Sequence, residues 1–309
     1  MIQVEGLRKQ YGDFEAVKGI SFTAEAGAIF GLLGPNGAGK STTIGCISGL
    51  LAPSAGRVSV MGHDVVADGP ASRHALGVVP QEIALYEDLS ARENLAYWGA
   101  AYGLRGAALK ARVQDVLERV GLSDRAREAV KKFSGGMQRR LNFGCGIVHE
   151  PRVLLLDEPT VGVDPQSRVH LLDHVRDLAA SGACILYTTH YMEEAEQLCD
   201  RLAIVDEGVV IAMGTLAELR AQLGEKDLLR LGGRFDGEGA VSALAALADL
   251  EIVQADAETL TLAVAGASNR LPEIFNVLAG AGCEVRETTL KQPSLETLFI
   301  KLTGKELRE

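Results

Sequence analysis

One segment limits the possible folds of this chain more than any other. Residues 34–41 read Gly-Pro-Asn-Gly-Ala-Gly-Lys-Ser, which matches GxxxxGK[ST], and they lie between the apolar run Ala28–Leu33 and a helical pattern. A strand, a glycine-rich turn and a helix in this order form a phosphate-binding loop, or P-loop. Such a match arises by chance about once in twenty thousand starting positions. We therefore predict a P-loop rather than a simple glycine-rich turn.

The residue types of this segment suit the binding of a triphosphate. Glycines let backbone N–H groups crowd around phosphate oxygens, and the N-terminus of the following helix adds positive potential. We expect Lys40 to reach the β- and γ-phosphates and the Ser41 hydroxyl to bind Mg²⁺. The predicted nucleotide-binding residues here are Gly34, Pro35, Asn36, Gly37, Ala38, Gly39, Lys40, Ser41 and Thr42.

Two consecutive carboxylates follow the apolar run Val153–Leu156. Asp157 suits the role of holding Mg²⁺, directly or through water, and Glu158 suits a general base that polarises the attacking water. Many strands end in an acidic residue that only caps the next turn, and this simpler interpretation would be favoured if the chain had no P-loop. With a P-loop upstream, the catalytic interpretation is favoured instead.

Four apolar runs predict parallel strands with polar residues at their carboxyl ends. The runs are Ala28–Leu33, Leu76–Val79, Val153–Leu156 and Cys184–Tyr187. Ligands of open parallel sheets bind beyond these ends of the strands. Singly, Gln81 or His190 is more often a structural loop residue. If the strands are neighbours, we expect both side chains to join Lys40 and Glu158 around one phosphate tail, with Gln81 orienting water or Mg²⁺ and His190 contacting the γ-phosphate.

The order of apolar and amphipathic segments predicts two domains. Over the first two thirds of the chain it indicates an α/β fold with a mostly parallel sheet. Residues from about 85 to 146 carry helical patterns without a convincing strand, which predicts a helical subdomain inserted in the sheet domain. We therefore predict an α/β domain at residues 1–223 and a second domain at residues 224–309.

The second predicted domain begins at about Gly224, where the pattern changes. Its order of elements, β-α-β-β-α-β-α, is typical of a small ferredoxin-like α+β domain. One of its helices is predicted to span Ala240–Leu250. No catalytic residues stand out, so we expect this domain to serve regulation or subunit contact.

Charge and composition argue against several partners and locations. The net charge is −10, whereas nucleic-acid binding needs a basic surface, so we expect no nucleic acid as partner. No run of eighteen or more apolar residues lacks a charge, and the first residues do not resemble a signal peptide. The five cysteines are widely spaced, which fits a reducing cytoplasm. If the protein works at a membrane, we expect another chain to hold it there.

Residues Ile2–Leu223 resemble the ATP-binding cassette (ABC) ATPases. The decisive segment is Phe133-Ser-Gly-Gly-Met-Gln-Arg-Arg140, which is similar to the family's LSGGQ signature and departs from it at Phe133 and Met137. By this resemblance, Ser134, Gly135 and Gly136 at a helix N-terminus meet the γ-phosphate of a nucleotide held by the opposite subunit. The resemblance therefore implies a head-to-tail dimer that holds two ATP molecules between its subunits.

Further positions match the motifs of this family in order. Tyr11 resembles the aromatic residue that stacks on adenine, Gln81 matches the Q-loop and a metal-binding role, and His190 matches the switch histidine. Val163-Asp164 resembles the D-loop, which crosses the dimer interface. The segment Leu89–Leu95 resembles the region that abuts a membrane partner.

The SGGM variant and the C-terminal extension resemble one branch of the family, the ATPase subunits of ABC-2-type exporters of drugs, antibiotics and sodium. The segment Pro293–Gly304 is similar to the tail of that branch. The resemblance implies a Mg²⁺-dependent ATPase that forms a homodimer, or a heterodimer with a related ATPase. It also implies a cytoplasmic protein, peripheral on the inner face of the cell membrane through a polytopic ABC-2-type subunit.

Two other functions remain open on the sequence alone. A soluble ABC ATPase acting on nucleic acid or ribosomes usually carries tandem cassettes, long coiled coils or basic surfaces, and none is visible here. Another P-loop enzyme, such as a small-molecule kinase, needs neither the Ser134 segment nor a histidine after Glu158. The sequence does not name a transported substrate.

Overall fold

The computed structural model describes residues 1–223, 226–245, 247–291 and 294–304. The chain forms two compact units, Met1–Met213 and Gly214–Glu309. The boundary precedes the predicted one at residue 223, because the helix Leu216–Leu223 contacts the helix Leu295–Thr303 of the second unit. Gly224 and Pro293, which entered the predictions above, lie outside the described residues.

The first unit contains two sheets and the helices that cover them. Its strands are β1 (Ile2–Tyr11), β2 (Phe14–Ala24), β3 (Ile29–Leu33), β4 (Ala55–Val60), β5 (His63–Asp64), β6 (Leu76–Val79), β7 (Val153–Asp157), β8 (Cys184–Thr189), β9 (Arg201–Asp206) and β10 (Val209–Gly214). Its helices are α1 (Lys40–Ile47), α2 (Gly69–His74), α3 (Ala91–Ala101), α4 (Gly106–Arg119), α5 (Gly135–Ile147), α6 (Pro165–Ala180) and α7 (Met192–Leu198).

The larger sheet has the order β10-β9-β3-β8-β7-β6. The strands from β9 to β6 pair in parallel, so the four strands predicted from the sequence lie side by side. Every residue of β3, β7 and β8 is buried, which explains why these strands read as continuous apolar runs. All their carboxyl ends therefore meet at one edge of the sheet.

The second sheet of this unit is antiparallel, has the order β2-β1-β4-β5, and was not predicted from the sequence. Buried and exposed residues alternate irregularly along β1, and the pairing with β2 shifts register between Val4 and Leu7. Gly6 lies in this irregular stretch with φ of 56°. The shift interrupts the two-residue alternation by which such a strand is recognised.

The segment between β6 and β7 is helical, in agreement with the predicted subdomain at residues 85–146. It contains α3, α4, α5 and two short 3₁₀ turns. Ser90 starts α3 with a capping box, in which its side chain accepts from the N–H of Glu93 and the Glu93 carboxylate accepts from Ser90. Leu95, Val116 and Leu141 join the three helices in one buried core.

The second unit contains β11 (Lys226–Arg234), α9 (Gly237–Leu244), β12 (Leu250–Ala255), β13 (Thr259–Ala265), α10 (Ala267–Gly280), β14 (Glu284–Lys291) and α11 (Leu295–Thr303), preceded by α8 (Leu216–Leu223). Its antiparallel sheet has the order β12-β13-β11-β14, as expected for the predicted ferredoxin-like arrangement. The helix predicted over Ala240–Leu250 is wrong in its second half. Asp249 has φ of 56°, in the left-handed region, so a right-handed helix cannot continue through it into β12.

Within the described parts of the chain, no helix combines the length and the apolar composition needed to span a bilayer.

A close approach of α5 to β6 depends on two glycines. A Cβ on Gly77 would lie 2.2 Å from the carbonyl oxygen of Gly146, and a Cβ on Gly146 would lie 2.5 Å from Cγ2 of Val79. We expect Gly77→Ala to lower the free energy of unfolding by about 3 kcal/mol, because a backbone oxygen cannot move aside as a side chain can. Denaturant titration measures this loss.

Gly280→Ala is the control for this prediction, because a Cβ at Gly280 would meet nothing within 4 Å. This variant should be neutral or more stable by up to about 1 kcal/mol. If Gly77→Ala proves as stable as the parent chain, α5 and β6 are not packed as closely as described.

Candidate functional site

The glycine-rich loop lies between β3 and α1, in the strand–loop–helix context that the sequence predicted. Gly37 and Gly39 have φ of 82° and 100°, a conformation that glycine adopts without strain. A Cβ on Gly34 would lie 2.1 Å from the carbonyl oxygen of Val205, and a Cβ on Gly39 would lie 2.6 Å from that of Ala16. Because neighbouring backbone comes this close, only glycine fits at positions 34 and 39.

Lys40, the first residue of α1, is buried, with only 4% of its surface exposed. Its Nζ donates to the carbonyl oxygens of Gly34 at 2.8 Å and Pro35 at 3.0 Å. It also forms an ion pair with Oε1 of Glu158 at 3.0 Å. A lysine side chain folded into its own loop in this way concentrates positive charge beside the backbone N–H groups of the loop.

Glu158 follows β7, and three other predicted side chains contact its carboxylate. Its Oε1 contacts Lys40. Its Oε2 lies 3.1 Å from Nδ1 of His190 and accepts a hydrogen bond from Nε2 of Gln81 at 3.4 Å. The residue is 3% exposed and its backbone has φ of 45°, an uncommon conformation for a residue with a side chain. Residues that follow three other strands of the sheet thus surround one buried carboxylate.

Thr188 binds the carboxylate of Asp157 and the backbone of Glu158, a role that the sequence analysis missed. Its Oγ1 donates to Oδ1 of Asp157 at 2.7 Å. The N–H of Glu158 donates to Oγ1 of Thr188 at 3.0 Å and to its carbonyl oxygen at 3.2 Å. Asp157 and Thr188 are partners in the pairing of β7 with β8. The role of Thr188 can therefore be recognised only when the register of these two strands is known.

A pocket of about 400 Å³ opens beside the glycine-rich loop, within the size range of ligand sites. It is lined by Tyr11, Phe14, Ala16, Asn36, Gly37, Gly39, Lys40, Ser41, Thr42, Gln81 and Glu158. Tyr11 and Phe14 pair across the β1–β2 turn and are 45% and 65% exposed. Phe14 is a further lining residue that the sequence analysis did not single out.

The lining residues fit a nucleoside triphosphate with Mg²⁺. One end of the pocket offers aromatic faces for a base, and the other offers a buried ammonium group, backbone N–H groups and hydroxyls for phosphates. Ser41 and Gln81 provide neutral oxygens there, and the buried Asp157 provides a carboxylate close to the same strand end. These are oxygen ligands of the kind that Mg²⁺ prefers.

The remaining predicted residues form a second cluster, apart from the pocket lining. Ser134 is the N-cap of α5, where its Oγ accepts from the N–H of Met137, and Asp164 is the N-cap of α6, where it accepts from the N–H of Ser167. The hydrogen bonds from Ser167 lower the pKa of the Asp164 carboxyl. A Cβ on Gly136 would lie 3.0 Å from Oδ2 of Asp164, so the two helix starts are adjacent.

Phe133 and Met137, where the sequence departs from the LSGGQ pattern, pack on the apolar core, and Phe133 is only 7% exposed. Ser134 and Gly135 between them are exposed, and a Cβ on Gly135 would meet nothing within 4 Å. The two departures therefore leave the exposed serine–glycine turn unobstructed.

A buried carboxylate that the sequence analysis did not identify lies behind the site. Oε2 of Glu194 accepts from the hydroxyls of Tyr187 at 2.8 Å, Thr160 at 2.9 Å and Thr189 at 3.3 Å. Its Oε1 lies 3.3 Å from Nε of Arg168 in α6. Burial, with a smaller contribution from the Glu194 charge, holds the pKa of Tyr187 well above its usual value. This network joins β8 to the segments that follow Glu158 and Asp164.

Two protein-family models match the chain. The model described as "ABC transporter" matches residues 17–161, which include the glycine-rich loop, Gln81, the Ser134 turn and Glu158. The model described as "ATP-binding protein DrrA1-3-like, C-terminal domain" matches residues 214–303, which begin where the second compact unit begins.

Several characterised proteins are similar over nearly their whole length. The linearmycin resistance ATP-binding protein LnrL of Bacillus subtilis is 43% identical over 100% of both chains. The daunorubicin/doxorubicin resistance ATP-binding protein DrrA of Streptomyces peucetius is 39% identical over 98% of this chain and 92% of its own. The Nod factor export ATP-binding protein I of Ralstonia nicotianae is 38% identical over 100% of this chain and 95% of its own.

Solved structures with the same fold are also ATP-binding cassettes. One, described as the ATP binding subunit of an ABC transporter, has a TM-score of 0.68 and 34% identity and covers 72% of this chain and 93% of its own. Another, cbiO1 of Clostridium perfringens, part of the ABC transporter complex cbiONQ, has a TM-score of 0.65 and 28% identity and covers 72% of this chain and 90% of its own.

The position of Lys40 leads to a test of the pocket. We expect Lys40→Ala to weaken ATP binding by about tenfold to a hundredfold, because a charge-assisted hydrogen bond to phosphate is lost, and to abolish turnover. It should also destabilise the fold by about 3–5 kcal/mol, because Glu158 would stay buried without its cation. Calorimetric ATP titration, a turnover assay and a thermal melt measure the three effects.

Lys18→Ala, at an exposed lysine of β2, is the matched control and should change neither affinity nor stability appreciably. If Lys40→Ala binds and hydrolyses ATP as the parent chain does, the loop is not the phosphate site.

Proposed function

Because this chain belongs to the ATP-binding proteins of ABC transporters, we propose that it hydrolyses ATP to drive export through a separate membrane subunit. One observation supports the hydrolytic role above all others. The Glu158 carboxylate lies between Lys40 of the glycine-rich loop and the side chains of Gln81 and His190. A potential base, a phosphate-binding cation and two polar side chains therefore meet within hydrogen-bond distance at one edge of the sheet.

Each residue at this edge has a distinct task in the proposed hydrolysis. Lys40, the loop amides and Thr42 bind the phosphates, and Tyr11 stacks on the adenine. Glu158 orients the attacking water and accepts its proton, while His190 donates to the γ-phosphate. Ser41, Gln81 and Asp157 would hold Mg²⁺, which offsets phosphate charge when bound. Thr188 keeps Asp157 and the Glu158 backbone in register for these roles.

The exposed start of α5 supports a site completed by a second subunit. Ser134, Gly135 and Gly136 present a serine and backbone N–H groups at a helix N-terminus, an arrangement that favours anions, yet they are not part of the chain's own pocket lining. We infer that they meet the γ-phosphate bound to an opposite copy, or to a related ATPase, and that Asp164 lies at that interface. ATP would then close the dimer, and hydrolysis would open it.

The relatives support the proposed transport role and its location. Their names describe resistance to linearmycin and to daunorubicin or doxorubicin, and export of Nod factor, and cbiO1 is part of a multi-subunit transporter complex. We propose that this chain lies in the cytoplasm on the inner face of the membrane, held by a polytopic ABC-2-type subunit that contacts Leu89–Leu95. The substrate path would then lie in that subunit. The alternative, an ABC ATPase acting on nucleic acid or ribosomes, is not favoured by these relatives.

The proposed base can be removed without changing the shape of its side chain. We expect Glu158→Gln to bind ATP but to hydrolyse it about a hundredfold to ten-thousandfold more slowly, and therefore to accumulate closed dimers. Size-exclusion chromatography with Mg-ATP and a phosphate-release assay measure both effects. Glu193→Gln, at an exposed glutamate of α7, is the control and should behave as the parent chain. Hydrolysis by Glu158→Gln at the parental rate would show that Glu158 is not the base.

The membrane partner can be tested in the native organism. We expect a tagged copy of the chain, purified from gently solubilised membranes, to bring with it one polytopic membrane protein in stoichiometric amount. Mass spectrometry of the purified complex identifies the partner, and the same membranes without the tag are the control. Ribosomes or nucleic acid in place of a membrane protein would contradict the transport role.

A further inference from the structure

The loop that carries Gln81 has little apolar packing to hold it. Gln81, Glu82 and Ala84 are exposed, while Ile83 and Leu85 are only half-buried. A loop of this kind adopts many conformations unless polar contacts fix its backbone. The position of Gln81 relative to Glu158 therefore depends on hydrogen bonds from outside the loop.

Helix α5 supplies these hydrogen bonds. Asn142, which is 2% exposed, accepts from the N–H of Ala84 at 3.1 Å and donates to the carbonyl oxygen of Pro80 at 3.4 Å. Arg139, about one turn earlier on α5, donates from its guanidinium to the carbonyl oxygen of Gln81. Two side chains of one helix thus bind the backbone on both sides of Gln81 and at Gln81 itself.

The same contacts direct the Gln81 side chain. With its backbone carbonyl turned toward Arg139, Gln81 places Nε2 at 3.4 Å from Oε2 of Glu158. The side-chain amide of Asn142 accepts one hydrogen bond from the loop and donates another to it. An aliphatic side chain of similar size can do neither, and a carboxylate can only accept. Because Asn142 is buried, breaking these bonds leaves polar groups unpaired.

We propose that Arg139 and Asn142 are positioning residues, which fix the loop Pro80–Ala84 to α5 and so set the Gln81 side chain against Glu158. This inference rests on the proposed ATPase function. It adds that α5, which begins at the Ser134 turn, also positions Gln81 beside Glu158 of the same chain. A shift of α5 therefore changes the position of Gln81.

The test compares variants of the purified full-length chain in ATP hydrolysis. Asn142→Leu and Arg139→Met should lower kcat by about tenfold to a hundredfold, because small displacements of a positioned group cost this much. The KM for ATP should change less than about twofold, since Lys40 and Tyr11 are untouched, and half-maximal activation should need several times more Mg²⁺. Arg139→Lys, which keeps a donor, should restore most of the activity.

Phe143→Leu is the matched control, because Phe143 is the next residue of α5 and equally buried, at 2% exposed, but packs in the apolar core. It should lower the melting temperature while leaving kcat and the Mg²⁺ dependence near parental values. The proposal is overturned if Phe143→Leu loses as much activity as Asn142→Leu at the same melting temperature. It is equally overturned if Asn142→Leu and Arg139→Met retain parental kcat and Mg²⁺ dependence.

Amide hydrogen exchange separates this inference from the proposed function. Asn142→Leu should speed exchange of the Ala84 amide, whose N–H would lose its acceptor, and Phe143→Leu should not. If the parent chain has no ATPase activity, the proposed function fails and the exchange result alone decides whether α5 holds the loop. Unchanged exchange at Ala84 in Asn142→Leu would overturn the inference in either case.

Discussion

The site depends on a buried ion pair between the carboxylate of Glu158 and the ammonium group of Lys40. Their side chains are each 4% exposed and 3.0 Å apart. Removing either charge from water without a partner would cost several kcal/mol, so each charge stabilises the other in the interior. Lys40 follows β3 and Glu158 follows β7, and the sheet order places β8 between these strands. The order of the parallel strands therefore brings Lys40 to the proposed base, and Thr188 on the intervening strand binds the backbone N–H of Glu158.

Helix α5 connects this buried pair to the surface of the molecule. Its second half packs on β6 through the contact of Gly77 with Gly146, its middle donates a hydrogen bond to the Gln81 loop, and its N-cap residue, Ser134, is exposed. A single rigid element therefore touches the sheet, the loop beside the carboxylate and the turn proposed to meet an opposite nucleotide. In the proposed dimer, a shift of α5 at its exposed end would also move the loop, which would couple the two nucleotides.

The parts of the fold and site that could be predicted are those encoded by short, local patterns. The glycine-rich loop and the ends of the buried strands needed only a few neighbouring residues to be recognised. The role of Thr188 depends on its register opposite Asp157, and the roles of Arg139 and Asn142 depend on which face of α5 meets the loop. Such information lies in contacts between residues far apart in sequence, which no local pattern contains.

The strand that was missed and the helix that was predicted too long each have a local structural cause. The irregular register near Gly6 hid β1, and the left-handed Asp249 stopped a helix that composition alone would have continued. In both cases one backbone conformation overrides the periodicity of the surrounding side chains.

The contacts of Lys40 also bear on the proposed hydrolysis. An ammonium group has three hydrogens to donate, and Lys40 uses them for the carbonyl oxygens of Gly34 and Pro35 and for Glu158. A phosphate oxygen can bind Lys40 only by replacing one of these acceptors. Two anions at one ammonium repel each other, so the carboxylate is the acceptor that phosphate displaces most readily. A carboxylate displaced in this way would keep His190 and Gln81 beside its other oxygen, and the oxygen released from Lys40 could accept a proton from water. In the proposed hydrolysis, the arrival of the phosphate would therefore free the carboxylate that accepts a proton from the attacking water.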